Sequence, residues 1–276
     1  MGFSLVVLYS EDRRSQFLNS VECWGDCPGY ASAQKILCVD GESDISIEGW
    51  TILKIGRAGD FFCWADSINK GVGSASEEIV FYMDSDRIVP TDWFSECCSL
   101  LSADKNRFLY PSRLYSLKSH VGVDALREIR DNVGSNERLL TPDHRQDDPK
   151  VYGRKNPFSG CVAFGRSAFL DCGGFDGRFV GWGYPDYDFM MKVKARGIPV
   201  IPIDASELHQ RHEYAIDRRM FRMHNLYNLR QYVEKWDLPR DHLERLAESI
   251  GVDRRHLYGS ESLRRFLSLV NGPTLG

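Results

Sequence analysis

The chain of 276 residues is 42% hydrophobic, 12% aromatic and 27% charged, with a formal net charge of −4. That composition excludes a collagen-like or disordered chain and suits one large core. The acidic balance argues against nucleic acid as a partner. No apolar run approaches the ~20 residues of a membrane-spanning helix. The opening MGFSLVVLYSEDRR has neither a basic leader nor a small-residue cleavage site. A soluble, cytoplasmic protein is expected. The eight cysteines include no C-x-x-C pair, so reduced, mostly buried thiols are expected rather than a zinc site.

In chain order, FSLVVLYS predicts a first strand. EDRRSQFLNSVECW predicts an amphipathic helix, with Phe17, Leu18, Val21 and Trp24 on one stripe. AQKILCVDGES and WTILKIG predict two further strands, the first ending at Asp40. DFFCWADSINKG has helical spacing and is expected to stop at Gly71, a C-terminal glycine. EEIVFYM predicts a fourth strand, followed by a helix in TDWFSECCSLLSAD and a strand in RFLYPSRLYSL. Alternating strands and helices point to an α/β fold, a mostly parallel sheet with helices on both faces. The polar stretch 132–157 reads as a loop or lid. From Ala215 onward the chain reads as a helical extension with 11 Lys/Arg against 8 Asp/Glu, leaving the first 214 residues at −7. A solvated helical face explains that tail; peripheral contact with an anionic membrane is its alternative use.

Ligands of parallel sheets bind beyond the carboxyl ends of the strands. Asp40 and the turn Asp84-Ser85-Asp86 lie at such ends. Carboxylates at i and i+2 can grip one hard divalent cation, which in turn binds the two phosphates of a nucleotide. Asp and Ser are also ordinary turn residues. Further along, Trp182 stands between Gly181 and Gly183, a mobile setting for an indole that could stack on a sugar face. Asp186 would equally serve as an N-cap for the helix that follows.

With SLVVLYS, ILCVDGES and ADSINKGVGSASEEIVFYMDSDRIVPTDW, the first half resembles the nucleotide-sugar half of GT-A glycosyltransferases, including family 2 members. SGCVAFGRSAFLDCGGFDGRFVGWGYPDYDF resembles the acceptor-side block of β-1,4-galactosyltransferases and chondroitin-polymerase-like enzymes. The likeness spans roughly residues 3–215. It implies a GT-A domain over 1–214, with a nucleotide-sugar half to about 110 and an acceptor half beyond, plus a helical extension over 215–276. It also implies inverting transfer of a hexose or N-acetylhexosamine from a UDP-sugar to a hydroxyl of a glycan, glycolipid or protein acceptor, using Mn²⁺ or Mg²⁺.

Carried onto this sequence, the resemblance gives Asp84 and Asp86 the metal and the diphosphate. His209 or His212 becomes a further ligand, with His224 a third candidate. The catalytic base is Asp186, with Asp188 as fallback; the family's Glu before it is Pro185 here. Gly181, Trp182 and Gly183 fall in the sugar and acceptor loop. Asp40, Arg57, Asn69 and Ser10 are the expected nucleotide contacts. Two other readings stay open: a silent nucleotide-sugar-binding relative serving as an assembly partner, and a sugar nucleotidyltransferase. The lack of glycine in YSEDRRSQ argues against the latter.

Overall fold

A computed structural model describes residues 2–55, 64–142, 158, 160–181, 183–213, 218–238 and 244, with the side chains of 218–222 excepted. Among the described residues nine strands form one sheet: β1 (Ser4–Tyr9), β2 (Gln34–Asp40), β3 (Trp50–Ile55), β4 (Ile79–Asp84), β5 (Arg87–Ile88), β6 (Phe108–Leu117), β7 (Leu140–Pro142), β8 (Cys161–Gly165) and β9 (Val200–His209). Their order is β3-β2-β1-β4-β8-β6-β9-β5, with β7 attached to β6. β1 to β4 are mutually parallel, β8 runs against β4 and β6, and β6 pairs in parallel with β9. Six strands thus share one direction, and the sheet is mostly parallel, as expected.

Side-chain alternation along β1 explains why both faces are covered. Leu5, Val7 and Tyr9 point to one face and meet Phe17 and Trp24 of α1 (Arg14–Gly25) with Trp93, Phe94 and Leu101 of α3 (Trp93–Ala103). Val6 and Leu8 point to the other and meet Ile68 and Val72 of α2 (Trp64–Ser74), Phe169 of α5 (Arg166–Asp171), and Phe189 and Val193 of α6 (Pro185–Ala195). A strand buried on both faces reads as a continuous apolar run, which SLVVLY is. Each such buried Val, Leu or Phe contributes about 1.5–3 kcal/mol.

Two expectations are corrected. The second helix does not stop at Gly71 but continues to Ser74. Gly71 lies inside it because a Cβ there would fall 2.3 Å from Val6 Cγ1 and 2.8 Å from Cys38 Sγ, so the glycine lets the helix lie close on the sheet. The expected lid begins in ordered structure: a 3-10 turn at Val133–Leu139 leads into β7, and Leu139 and Leu140 pack with Leu117, Leu126 and Ile129. Its remainder, 143–157, lies outside the described residues. A helix not foreseen, α4 (Val123–Asp131), supplies Leu126 and Ile129 to that same cluster. Of the expected C-terminal helices, α7 (Arg218–Lys235) is described, and the later two, apart from the helical Glu244, lie outside the described residues.

Candidate metal and donor site

Every element that builds the site ends at the same edge of the sheet. β4 delivers Asp84, and the turn after it is pinned by hydrogen bonds from the Asp84 N–H to the Gly160 carbonyl (3.0 Å) and from the Ser85 N–H to the Leu8 carbonyl (3.2 Å). The short β5 then pairs antiparallel with β9, Arg87 opposite His209 and Ile88 opposite Leu208. The Gln210 N–H donates to the Asp86 carbonyl at 3.0 Å. This pairing brings residues more than a hundred positions apart into one cluster.

Asp86 Oδ2 lies 3.4 Å from His209 Nε2 and 3.2 Å from His212 Nε2, and the two imidazole nitrogens are 3.0 Å apart. One donor atom from each residue falls within 4.8 Å of the others, a set that could hold a metal ion. The fit is good. A divalent ion with ligand distances of ~2.1 Å holds neighbouring ligand atoms ~3.0–3.4 Å apart. Moreover, Asp86 Oδ1 is buried and makes no hydrogen bond, its charged neighbour being Arg87 Nε at 3.4 Å, so a cation beside the carboxylate would add to its stabilisation. Both candidate histidines join the cluster, not one. Burial works to raise the Asp86 pKa, but the charges of His209, Arg87 and Arg13 overcome it and hold the carboxyl well below the usual range.

Asp84 stands slightly apart. It is half-buried, accepts a hydrogen bond from the Tyr82 hydroxyl, and lies 3.7 Å from Arg87 Nη2. Burial raises its pKa. It borders the Asp86–histidine group as a neighbour.

Asp186 sits in the first turn of α6, not at the N-cap, which is Tyr184 with φ 73°. Pro185 occupies the first position of that helix, where a missing N–H costs nothing. Burial pushes the Asp186 carboxyl up to about 6, against the hydrogen bond it accepts from the Tyr187 N–H at 3.0 Å and with a further push from the charge of Asp84. The candidate base and the acidic turn therefore sense each other. Asp188, the expected fallback base, is fully buried: its oxygens take Lys235 Nζ at 2.7 Å and the Trp236 indole N–H at 2.9 Å. That ion pair ties α6 to α7.

The Gly181–Gly183 turn leans on α7. Gly181 and Gly183 have φ of 65° and 88°, and added Cβ atoms would fall 2.1 Å from His224 Nδ1 and 2.2 Å from Asn225 Oδ1. Asn228, fully buried, accepts from the Val180 N–H (3.0 Å) and donates to the Val180 and Gly183 carbonyls (2.9 and 2.8 Å). Sequence reasoning did not single out Asn228, and no local signal marks it. Trp182 itself lies outside the described residues. His224 belongs to this packing, away from the Asp86 group, with its pKa lowered to about 4 by burial.

The expected nucleotide contacts fare unevenly. Asp40 is buried at the end of β2, and Ser10 follows β1 with its hydroxyl donating to Asp12. Arg57 lies outside the described residues. Asn69 commits its amide to Phe175, donating to the carbonyl and accepting from the N–H, both at 2.9 Å. That clamp ties α2 to the segment that leads into α6. Arg13, unforeseen, is buried in the 3-10 turn Glu11–Arg13 with Nη1 lacking a hydrogen-bond partner, and its charge reaches Asp86.

Comparison with solved structures decides the architecture. A structure of GalNAc-T7 with UDP, GalNAc and Mn²⁺ superposes with a TM-score of 0.64 at 14% identity, covering 98% of this chain and 54% of that one. S. aureus TarS 1–349 in complex with UDP-GlcNAc gives 0.56 at 12% identity, covering 95% and 74%. The fold is GT-A. A family model described as the N-terminal domain of galactosyltransferase matches residues 146–217, the part of the GT-A chain that carries Asp186, His209 and His212. No curated protein matches the sequence. The chain spans about half the length of the GalNAc-T7 chain. Among the described residues of this GT-A chain, no helix is long and apolar enough to cross a membrane.

Proposed function

We propose that the chain is a metal-dependent, inverting glycosyltransferase that moves a hexose or N-acetylhexosamine from a UDP-sugar to a hydroxyl of a glycan, glycolipid or protein acceptor. The observation that carries this reading is the Asp86, His209 and His212 group at the carboxyl ends of the strands, with Asp186 in electrostatic reach of the same turn. The neighbours solved with UDP and Mn²⁺ or with UDP-GlcNAc support the choice of donor and ion.

Asp86, His209 and His212 would hold the ion, with Asp84 beside them. Bound there, a divalent cation supplies Lewis-acid neutralisation of the diphosphate that leaves. Asp186 does the proton chemistry. With its pKa near 6 it is ionised at neutral pH, yet basic enough to take the acceptor proton as the new glycosidic bond forms and the sugar–phosphate bond breaks, releasing UDP. Asp40, Ser10 and Arg57 are assigned to the nucleotide. Gly181, Trp182 and Gly183 are assigned to the sugar and acceptor. Catalysis belongs to residues 1–214. Residues 215–276, with 11 Lys/Arg against 8 Asp/Glu, are assigned to an extension whose charge suits a solvated face, with peripheral contact to an anionic membrane from the cytoplasm as its alternative use. Pro185 suits its position in the helix, and the alternative, a silent nucleotide-sugar-binding protein, differs from this reading in turnover.

Incubation with UDP-sugars and Mn²⁺ tests the proposal. UDP should be released slowly by the wild type and not by Asp86→Ala. Tight binding of a UDP-sugar without any turnover would contradict it.

A further inference from the structure

Beside the candidate cation site lies a buried charge pair that the chemistry above does not use. Arg87 is 7% exposed and Glu207 4% exposed, and Nη1 of the one lies 2.9 Å from Oε1 of the other. The same guanidinium is 3.4 Å from Asp86 through Nε and 3.7 Å from Asp84 through Nη2. One cation thus stands among three carboxylates, two of them on the turn that would take a metal. Left alone, an arginine there competes with a divalent ion for Asp86, because a guanidinium fork matches a carboxylate well. The distances decide the outcome: the shortest contact goes to Glu207.

The surrounding backbone enforces that choice. The Trp24 indole N–H donates to the Arg87 carbonyl at 3.1 Å, fixing the base of the side chain. Glu207 and Arg87 project from the paired strands β9 and β5. A Cβ on Gly160 would fall 2.3 Å from Glu207 Oε1 and 3.2 Å from Arg87 Cζ, so the absence of a side chain there makes room for the pair. Three carboxylates and one guanidinium leave two negative charges, the complement of one divalent cation.

We propose that Glu207 is a positioning residue for the cation site: it holds Arg87 away from Asp86 so that Asp86 stays available to metal. The inference rests on the cation reading above and extends it to two residues that touch neither ion nor substrate. Removing the Glu207 charge frees Arg87 to close on Asp86, and metal affinity falls. Removing both members returns the local charge to its former value, and affinity recovers.

The test is Mn²⁺ binding without donor, read from the electron paramagnetic resonance of free Mn²⁺, on full-length chains checked for fold by circular dichroism. Glu207→Gln should bind Mn²⁺ ~10-fold or more weakly than wild type, within the range for groups that orient metal ligands. Gly160→Ala, which displaces Glu207 from the other side, should show the same loss and decides the matter if Glu207→Gln does not fold. The double variant Arg87→Met/Glu207→Met should return to within ~3-fold of wild type. Wild-type affinity in folded Glu207→Gln, or a double variant as weak as the single, overturns the proposal. A wild type that takes up no Mn²⁺ overturns the cation reading itself, and this inference with it.

Discussion

Arg87 of β5 stands directly across from His209 of β9, two residues that 121 positions of sequence separate. That register places the acidic turn after β4 against the end of the last strand, and the carboxylate of Asp86 against two imidazoles. The group is a product of sheet pairing, so its integrity is measurable through each ligand in turn. Asp86→Ala should abolish Mn²⁺ binding. His209→Ala and His212→Ala should each weaken it by at least ~10-fold, as titration calorimetry would show. Equal binding by all three would mean that the ion, if bound, sits elsewhere.

Asp186 should leave its signature in a pH profile. Its carboxyl is pushed up to about 6 and must be ionised to accept a proton. UDP release under kcat conditions should therefore rise about tenfold per pH unit below 6 and level off above it. Asp186→Asn should lower kcat by ~10²–10⁴-fold with the donor KM little changed. A profile flat from pH 5 to 8 would remove Asp186 from the role.

The same raised pKa has a stability consequence of definite sign. An acid whose folded pKa exceeds its ordinary value of 3.8 destabilises the fold when ionised. The penalty is absent below the ordinary value, builds as pH rises towards about 6, and is complete above that. Asp186→Asn should therefore raise the melting temperature at pH 8 and change it little at pH 3.5. Asp188 is read by the same assay. Its replacement by Asn takes one carboxylate from Lys235, which keeps Asp176 at 2.7 Å, and weakens the contact with Trp236, and should cost about 1–3 kcal/mol. Thermal unfolding of the two variants side by side separates a working carboxylate from a structural one.

The turn that carries Trp182 should depend on α7. Asn228→Ala removes three hydrogen bonds to the backbone of Val180 and Gly183 in a fully buried place. A loss of about 2–3 kcal/mol is expected, measured by denaturant unfolding. Gly181→Ala adds both backbone strain at φ 65° and a clash with His224, and should cost a similar amount. Either variant with wild-type stability would mean that the turn is not held there.

Much of this was legible in the sequence because its signals are local. SLVVLY and IVFYM read as buried strands from their unbroken apolar runs, and Asp84 and Asp86 stood out because they end one of them. The histidines were visible as candidates, but their joint approach to Asp86 is set by the β5–β9 pairing, and two-residue β5 has no periodicity to read. Gly71 misled because glycine is a common helix end, and here close approach to Val6 and Cys38 explains it inside the helix instead. Arg87, Glu207 and Asn228 act through partners 45 to 120 positions away, which no window of sequence contains.

The central claim, one divalent cation held by Asp86, His209 and His212, is tested most directly by anomalous diffraction from crystals soaked in Mn²⁺ and a UDP-sugar. The account predicts a single manganese peak ~2.1 Å from Asp86 and from both imidazoles, with the diphosphate completing its shell. A peak elsewhere, or a diphosphate bound with these three side chains turned away from it, would contradict the account.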